Sequence, residues 1–191
     1  SSPYLTNVLF TGNSAAMDGG AIHIHTVETD FKPVLTNLTI TGNTAGEKGG
    51  AISMFYAGVS IRNSIIWENF DPANKAIAIL RGGDPTTISF SDIEGGCPEE
   101  LIEDDLCIGI LDLDPSFVNA SGTDGIYGTY DDNPRLQAGS GVIDQGDNDV
   151  TFPSLPTTDL DGNSRVFNHI VDMGAFEWQV TLPIFLPVIV R

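Results

Sequence analysis

Hydrophobic and polar positions recur along the first half of the chain with a period longer than any single helix or strand supplies. NVLFTGNSAAMDGGAI at 7–22 returns as NLTITGNTAGEKGGAI at 37–52, keeping Asn, TGN and GGAI while the charges between them change. The register extends outward, with Pro3 on Pro33, Leu5 on Leu35 and Phe10 on Ile40. VSIRNSIIWEN supplies a third copy through Ile61, Asn63, Ile66 and Asn69. TISFSDIEGG supplies a fourth through Ile88 and Ile93, with Phe90 and Gly96 where the asparagines stood. The offsets are 30, 26 and 27 residues, and periods of about 20–50 residues mark a solenoid, propeller or array. Inside each period, alternating runs such as AIHIH at 21–25 and AISMF at 51–55 predict short strands with a bend after each. A propeller blade needs roughly 40 residues or more, and a leucine-rich repeat would show its leucine ladder. The pattern therefore predicts an all-β, right-handed parallel β-helix (solenoid) of about four coils with an irregular C-terminal β cap.

Stacking explains which positions repeat. Adjacent coils bring equivalent residues to a strand spacing of ~4.8 Å, so a side chain meets its own counterpart. Leu5, Leu35, Ile61 and Ile88 are expected to form one inward aliphatic column, and Phe10, Ile40, Ile66 and Ile93 another. Asn13, Asn43 and Asn69 are expected to form an amide ladder at a bend, in the left-handed conformation that Asn tolerates. Gly19–Gly20 and Gly49–Gly50 mark a corner that needs positive φ or close backbone approach. The coils occupy 1–96, with repeats near 1–30, 31–56, 57–83 and 84–96; from 112 the repeat phase is lost and turn signals crowd. Residues 97–111 read as an acidic loop, 112–178 as a region covering the C-terminal end of the stack, and 179–191 as an apolar strand or tail.

Charge sharpens this division. Of the net −18, residues 1–90 carry −2 and residues 91–191 carry −16. Such a field repels phosphate backbones and argues against a nucleic-acid partner. It suits either plain solubility or divalent cations. No window approaches the ~20 apolar residues of a membrane span, and no basic-then-apolar leader opens the sequence. The two cysteines, Cys97 and Cys107 in GGCPEELIEDDLC, lack the partners of a zinc site and suit a local disulfide of an exported protein, with free thiols as the alternative. EELIEDDL between them predicts one helical turn.

The N-x5-N spacing (7/13, 37/43, 63/69) with GGAI resembles the repeats of bacterial surface β-helix proteins, including polymorphic outer-membrane adhesins. LDLDPSFVNASGTDGIYGTYDDNPRLQAGSGVIDQGDN followed by TDLDGNSRVFNHIVDMGAFE is similar to the C-terminal end of "choice-of-anchor" β-helix proteins, secreted bacterial proteins whose anchoring tail varies. Together the two resemblances cover nearly residues 1–178. They imply secretion and placement at the bacterial cell surface, without a particular activity.

Candidate chemistry lies mostly in the acidic half. In DLDGN, Asp159, Asp161 and Asn163 alternate as hard oxygen ligands around Gly162, like the opening of a calcium loop, although Ile170 stands where the twelfth-position Glu belongs. In GTDGIYGTYDDN, Asp124, Asp131, Asp132 and Asn133 are a second candidate set for structural Ca2+. Against both stands a series of local turns in which each Asp accepts nearby N–H groups. Asp172 and Glu177 read as ion-pair partners for Arg165 or Arg135.

Catalysis finds little support in the sequence. Asp131 and Asp132 are adjacent, where inverting glycosidases separate their carboxylates by about 6.5–9.5 Å. A lyase would need calcium on the coil flank beside a base; Arg62, Lys75 and Arg81 are there, but few acids. His23 and His25 share one face of a strand, yet Ser53 and Phe55 follow them in the next coil. AGSGV lacks the nucleophile-elbow spacing.

The leading reading is a non-catalytic extracellular structural or adhesive module. The alternatives are a carbohydrate-binding or degenerate polysaccharide-active β-helix, and the C-terminal part of a larger such protein. Tyr4, Phe31, Phe55, Tyr56, Trp67 and Phe70 are candidate glycan-stacking rings, although they share no repeat column. SSPYLTN aligns with KPVLTN, so the chain starts inside a coil. QVTLPIFLPVIVR places Val180, Leu182, Ile184, Leu186, Val188 and Val190 on one face, with prolines confining it to a sheet edge. Self-association is the expected partnership, joining an uncapped coil to this strand, with the strand folding back along its own coils or serving as a sorting tag as the alternatives.

Overall fold

The computed structural model describes residues 2–26, 31–81, 85–149 and 154–180. The first coil holds β1 (Tyr4–Thr11), β2 (Ser14–Ala15) and β3 (Ile22–His25); the second holds β4 (Val34–Thr41), β5 (Thr44–Ala45) and β6 (Ile52–Phe55). The third holds β7 (Ser60–Arg62), β8 (Ile65–Trp67) and β9 (Ile77–Arg81). A fourth begins with β10 (Thr87–Ser89) and β11 (Asp92–Ile93), then gives way to the helical turn α1 (Glu99–Ile102) and β12 (Cys107–Ile108). The later strands are short: β13 (Phe117–Asn119), β14 (Asn133–Leu136), β15 (Val166–Phe167) and β16 (Ile170–Val171).

All pairings within the stack are parallel, and they follow the sequence repeat residue for residue. Leu5, Leu35, Ile61 and Ile88 are in register, as are Phe10, Ile40, Ile66 and Ile93. β2 pairs β5, and β3, β6 and β9 form a third face. The result is a β-solenoid of three complete turns plus the first face of a fourth, where the sequence pattern suggested four coils. The fourth stops because Gly95 and Gly96 lead the chain into a loop closed by the Cys97–Cys107 disulfide, whose Cα atoms lie 6.2 Å apart. Cys107 itself stands in register with Ile88. The interior is one aliphatic cluster in which Leu35, Ile40, Ile61, Ile66 and Ile88 are fully buried. Each contributes on the order of 1.5–3 kcal/mol, a gain no coil obtains alone.

The amide ladder forms as expected. Asn13 Nδ2 donates to Asn43 Oδ1 at 2.8 Å, and Asn43 Nδ2 donates to Asn69 Oδ1 at 2.9 Å. Its conformation differs from the expectation. Within the repeat columns the left-handed asparagines are Asn7, Asn37 and Asn63, at φ 53°, 54° and 47°, with Phe90 at 46° taking that place in coil four. The physical reason is local: the bend before each ladder residue falls on Gly12, Gly42 or Glu68, which take the positive φ themselves. At the GGAI corner the two glycines serve different needs. Gly19 and Gly49 have φ of 72° and 71°, whereas a Cβ on Gly20 would meet the Gly50 carbonyl oxygen at 2.0 Å. The third coil has no glycine pair there, and the buried Asp71 carboxylate accepts the Gly49 N–H at 2.8 Å.

Residues 112–178 are irregular and lie along one side of the stack. The cause is the outward column Leu9, Thr39, Ile65 and Asp92 of the first face. Ile65 anchors a second apolar cluster with Leu136, Val142 and Met173. Thr39 Oγ1 accepts the Ala175 N–H at 2.9 Å, and Asp92 accepts that of Leu113 at 3.0 Å. Two outward apolar residues, Ile65 and Trp67, would be stranded in water without this cover.

Candidate functional site

Three regions concentrate chemistry: the cover loops, the ring-bearing third face and the face of coil one turned away from coil two. In the first and third repeats the first asparagine ties the cover to the stack, whereas the buried Asn37 side chain of the second has no hydrogen-bond partner. Asn7 Nδ2 donates to Thr158 O at 2.6 Å, while Asn63 both donates to Asp147 O and accepts its N–H. This role was not read from the sequence, although the two asparagines of N-x5-N lie at different bends and so need not do the same work. Gly42 shows a second contact of this kind, since a Cβ there would sit 2.1 Å from the Tyr127 ring. Tyr127 lays its ring on that glycine and donates its hydroxyl to Glu68, the residue at the same bend in coil three. Burial and then the Glu68 carboxylate push the Tyr127 hydroxyl's pKa up.

The proposed calcium residues are brought into turns. Asp159 Oδ1 accepts the N–H groups of Asp161 and Asn163, and its Oδ2 accepts those of Glu177 and the Asn163 amide. Asp161 is drawn instead to the Arg135 guanidinium. In the other loop Asp124 accepts the Ile126 N–H, and Asp132 accepts the Gly128 N–H and the Thr11 hydroxyl. The hydroxyls of Thr123 and Thr129 and the Thr123 N–H hold the Asp131 carboxyl down at about 2. Among the described residues no three His, Cys, Asp or Glu side chains converge as a metal site would require.

A buried charge cluster underlies the VDMGAFE segment. Arg165 and Glu177 pair at 3.1 Å with both side chains fully buried, as the ion-pair reading anticipated. Asp172 accepts the N–H groups of Asp144 and Trp178, and Glu177 those of Phe167 and Asp172. Burial, followed by the Asp172 charge, raises Glu177 to about 7 against the pull of Arg165. These acids are walled in by backbone donors and fasten the cover's own turns together.

On the third face, His23 Nδ1 lies 2.6 Å from Ser53 Oγ. The rings of His25, Phe55 and Tyr56 follow edge to face, with centroids 5.0 and 4.7 Å apart. His23 and His25 thus pair with neighbours in the next coil. Among the described residues β1 pairs only with β4. Leu5 and Phe10 are half-buried, whereas Leu35 and Ile40 beneath them are fully buried. At the other end Val180 is exposed, and Leu182, Ile184, Leu186, Val188 and Val190 lie outside the described residues. No helix among the described residues is long and apolar enough to cross a membrane.

Residues 7–25 and 37–54 match the family described as the Chlamydia polymorphic membrane protein (Chlamydia_PMP) repeat. These are coils one and two through the end of the third face, so the matched unit is one turn of the solenoid. No curated protein and no solved structure matches the chain. The chain is a β-solenoid protein whose first two coils are similar to polymorphic membrane protein repeats.

Proposed function

We propose that this chain is a non-catalytic structural or adhesive module of the bacterial cell surface that acts by adding coil to coil. The observation that carries this reading is the face of coil one. It repeats in sequence the surface that coil two buries, with Leu5, Phe10 and Asn13 as the outermost members of three columns among the described residues. Another coil of the same kind fits that face, within a longer polypeptide or from a second copy. The repeat match supports surface placement through the family's own description as a membrane protein repeat. The apolar run 179–191 is the candidate strand donor: an extended segment added to an open edge gains backbone hydrogen bonds while its alternate side chains enter pockets. A contact between two different surfaces does not close, so it propagates into larger assemblies. Light scattering coupled to size-exclusion chromatography tests this. The 1–191 chain is expected to form concentration-dependent assemblies that deletion of 179–191 abolishes, with the circular dichroism of the coils retained. A monodisperse monomer at high concentration overturns the self-assembly reading.

A further inference from the structure

The chain is held by hydrogen bonds as far as Gln179 and there passes an apolar cleft. The Glu177 N–H donates to Asp159 at 2.9 Å and the Trp178 N–H to Asp172 at 2.6 Å, both carboxylates being buried. The Gln179 amide donates to Ser164 O at 3.4 Å, which brings the segment alongside the β15–β16 hairpin. The cleft has a volume of about 400 Å3 and is lined by Phe167, Trp178 and Val180, with Asp144 and Asn168 as its polar wall. That wall is paired with itself, Asn168 Nδ2 donating to Asp144 Oδ2 at 3.1 Å. Trp178 packs on the second apolar cluster from behind. Val180 is 47% exposed, and Ile170, directly opposite Phe167 in the hairpin, is 41% exposed. A contiguous apolar surface of this kind calls for a cover.

We propose that the cover is the chain's own next segment, TLPIF at 181–185, packed into the cleft of the same copy. Those residues lie outside the described ones, and it is their position and chemistry that select them. Val180 lines the cleft, and Leu182 follows within about 7 Å of extended chain. Leu182, Ile184 and Phe185 are apolar, and 181–185 carries no charge to bury. With Asp144 on the wall and −16 over residues 91–191, an acidic partner segment would be repelled. So short a tether sets an effective concentration on the order of millimolar, against which the same segment of another copy competes poorly. Pro183 has no N–H, so the contact is one of side-chain packing rather than a full hydrogen-bonded strand. It leaves 186–191 for strand donation and fixes the point from which that strand leaves the cover. Coil-to-coil assembly neither requires nor opposes it.

Trp178 reports the contact. In a Trp67→Phe background it is the only tryptophan, and its fluorescence is compared between the 1–191 chain and the chain ended after Val180, with circular dichroism following the coils. Removal of 181–191 is expected to shift the emission to longer wavelength and to raise its quenching by acrylamide. Leu182→Asp in the full chain is expected to reproduce both changes, because it would place a carboxylate in an apolar cleft beside Asp144. Val190→Asp is expected to produce neither. The full-chain signal is expected to hold on about hundredfold dilution, since the tether fixes the effective concentration. The proposal is overturned if emission and quenching are the same with and without 181–191, or if Leu182→Asp leaves them unchanged. Loss of the full-chain signal on dilution also overturns it and assigns the cleft to a second copy's segment. Light scattering on the same samples separates the two readings. A monomer whose Trp178 signal moves on truncation sinks assembly alone, and assemblies with an unmoved signal sink the cleft contact alone.

Discussion

The Asn43 side chain is fully buried and spends its whole hydrogen-bonding capacity on the repeat. Its two amide hydrogens are shared among Phe10 O, Thr41 O and Asn69 Oδ1, and its oxygen accepts from the Asn13 side chain and backbone. Asn13 does the same work half-finished, because no further coil lies above it among the described residues. Asn43→Ala strands several buried groups at once and is expected to cost on the order of 2–4 kcal/mol in urea denaturation. Asn13→Ala, at the exposed end of the ladder, is expected to cost less than about 1 kcal/mol. Equal losses would show that the ladder is not what makes the position expensive to change. Glu68 shows the same logic with a different residue: a non-glycine holds the positive φ of its bend, and its carboxylate gains the Tyr127 hydroxyl.

At the scale of elements, the cover loops are turn-closing devices. The Asp159 carboxylate binds four N–H donors, so a cation at that loop would compete with the protein for both oxygens. A structural calcium is consequently expected to add little. The melting temperature should move by less than about 2 °C between millimolar calcium and chelator, since a ligand stabilises only through its affinity for the folded state. A rise of many degrees that Asp159→Asn removes would instead establish the site. The disulfide acts on a different element. It closes an eleven-residue segment around α1 and holds β12 against β10, a constraint worth on the order of 2–3 kcal/mol.

For the whole molecule, the buried carboxylates set the pH response. Burial, with added repulsion from Asp112 and Asp114, raises Asp92 to about 6, and burial raises Asp172 as well. With Glu177 at about 7, these groups bind protons more tightly folded than unfolded, where carboxyls titrate near ~4. Their contribution to stability is therefore full below ~4 and is lost as pH rises through about 6 and about 7. Asp131 works in the opposite direction, but its window lies between ~4 and about 2. The melting temperature is expected to fall from pH 5 to pH 8, and Asp92→Asn to make that fall shallower. A melting temperature that rises over the same range would contradict the assignment.

The sequence by itself determined the coil. Its period, its two aliphatic columns, the amide ladder and the glycine corner were all legible, because a parallel stack places each residue beside its own counterpart one repeat away. A local rule repeated along the chain is then also a tertiary contact. The disulfide was readable for a related reason, since its partners are ten residues apart with a turn of helix between them. Only the tertiary structure decided where residues 112–178 go. That segment has no internal repeat, and the surface it covers is written elsewhere, in Ile65, Trp67 and Asn63, whose outward or bent positions signal a partner without naming it. The same holds for the left-handed asparagines. Asn7 and Asn13 look alike in the sequence, and what separates them is that one meets the cover and the other meets the next asparagine. Long-range contacts between unlike segments depend on shape and donor placement, and residue identity at fixed spacing carries neither.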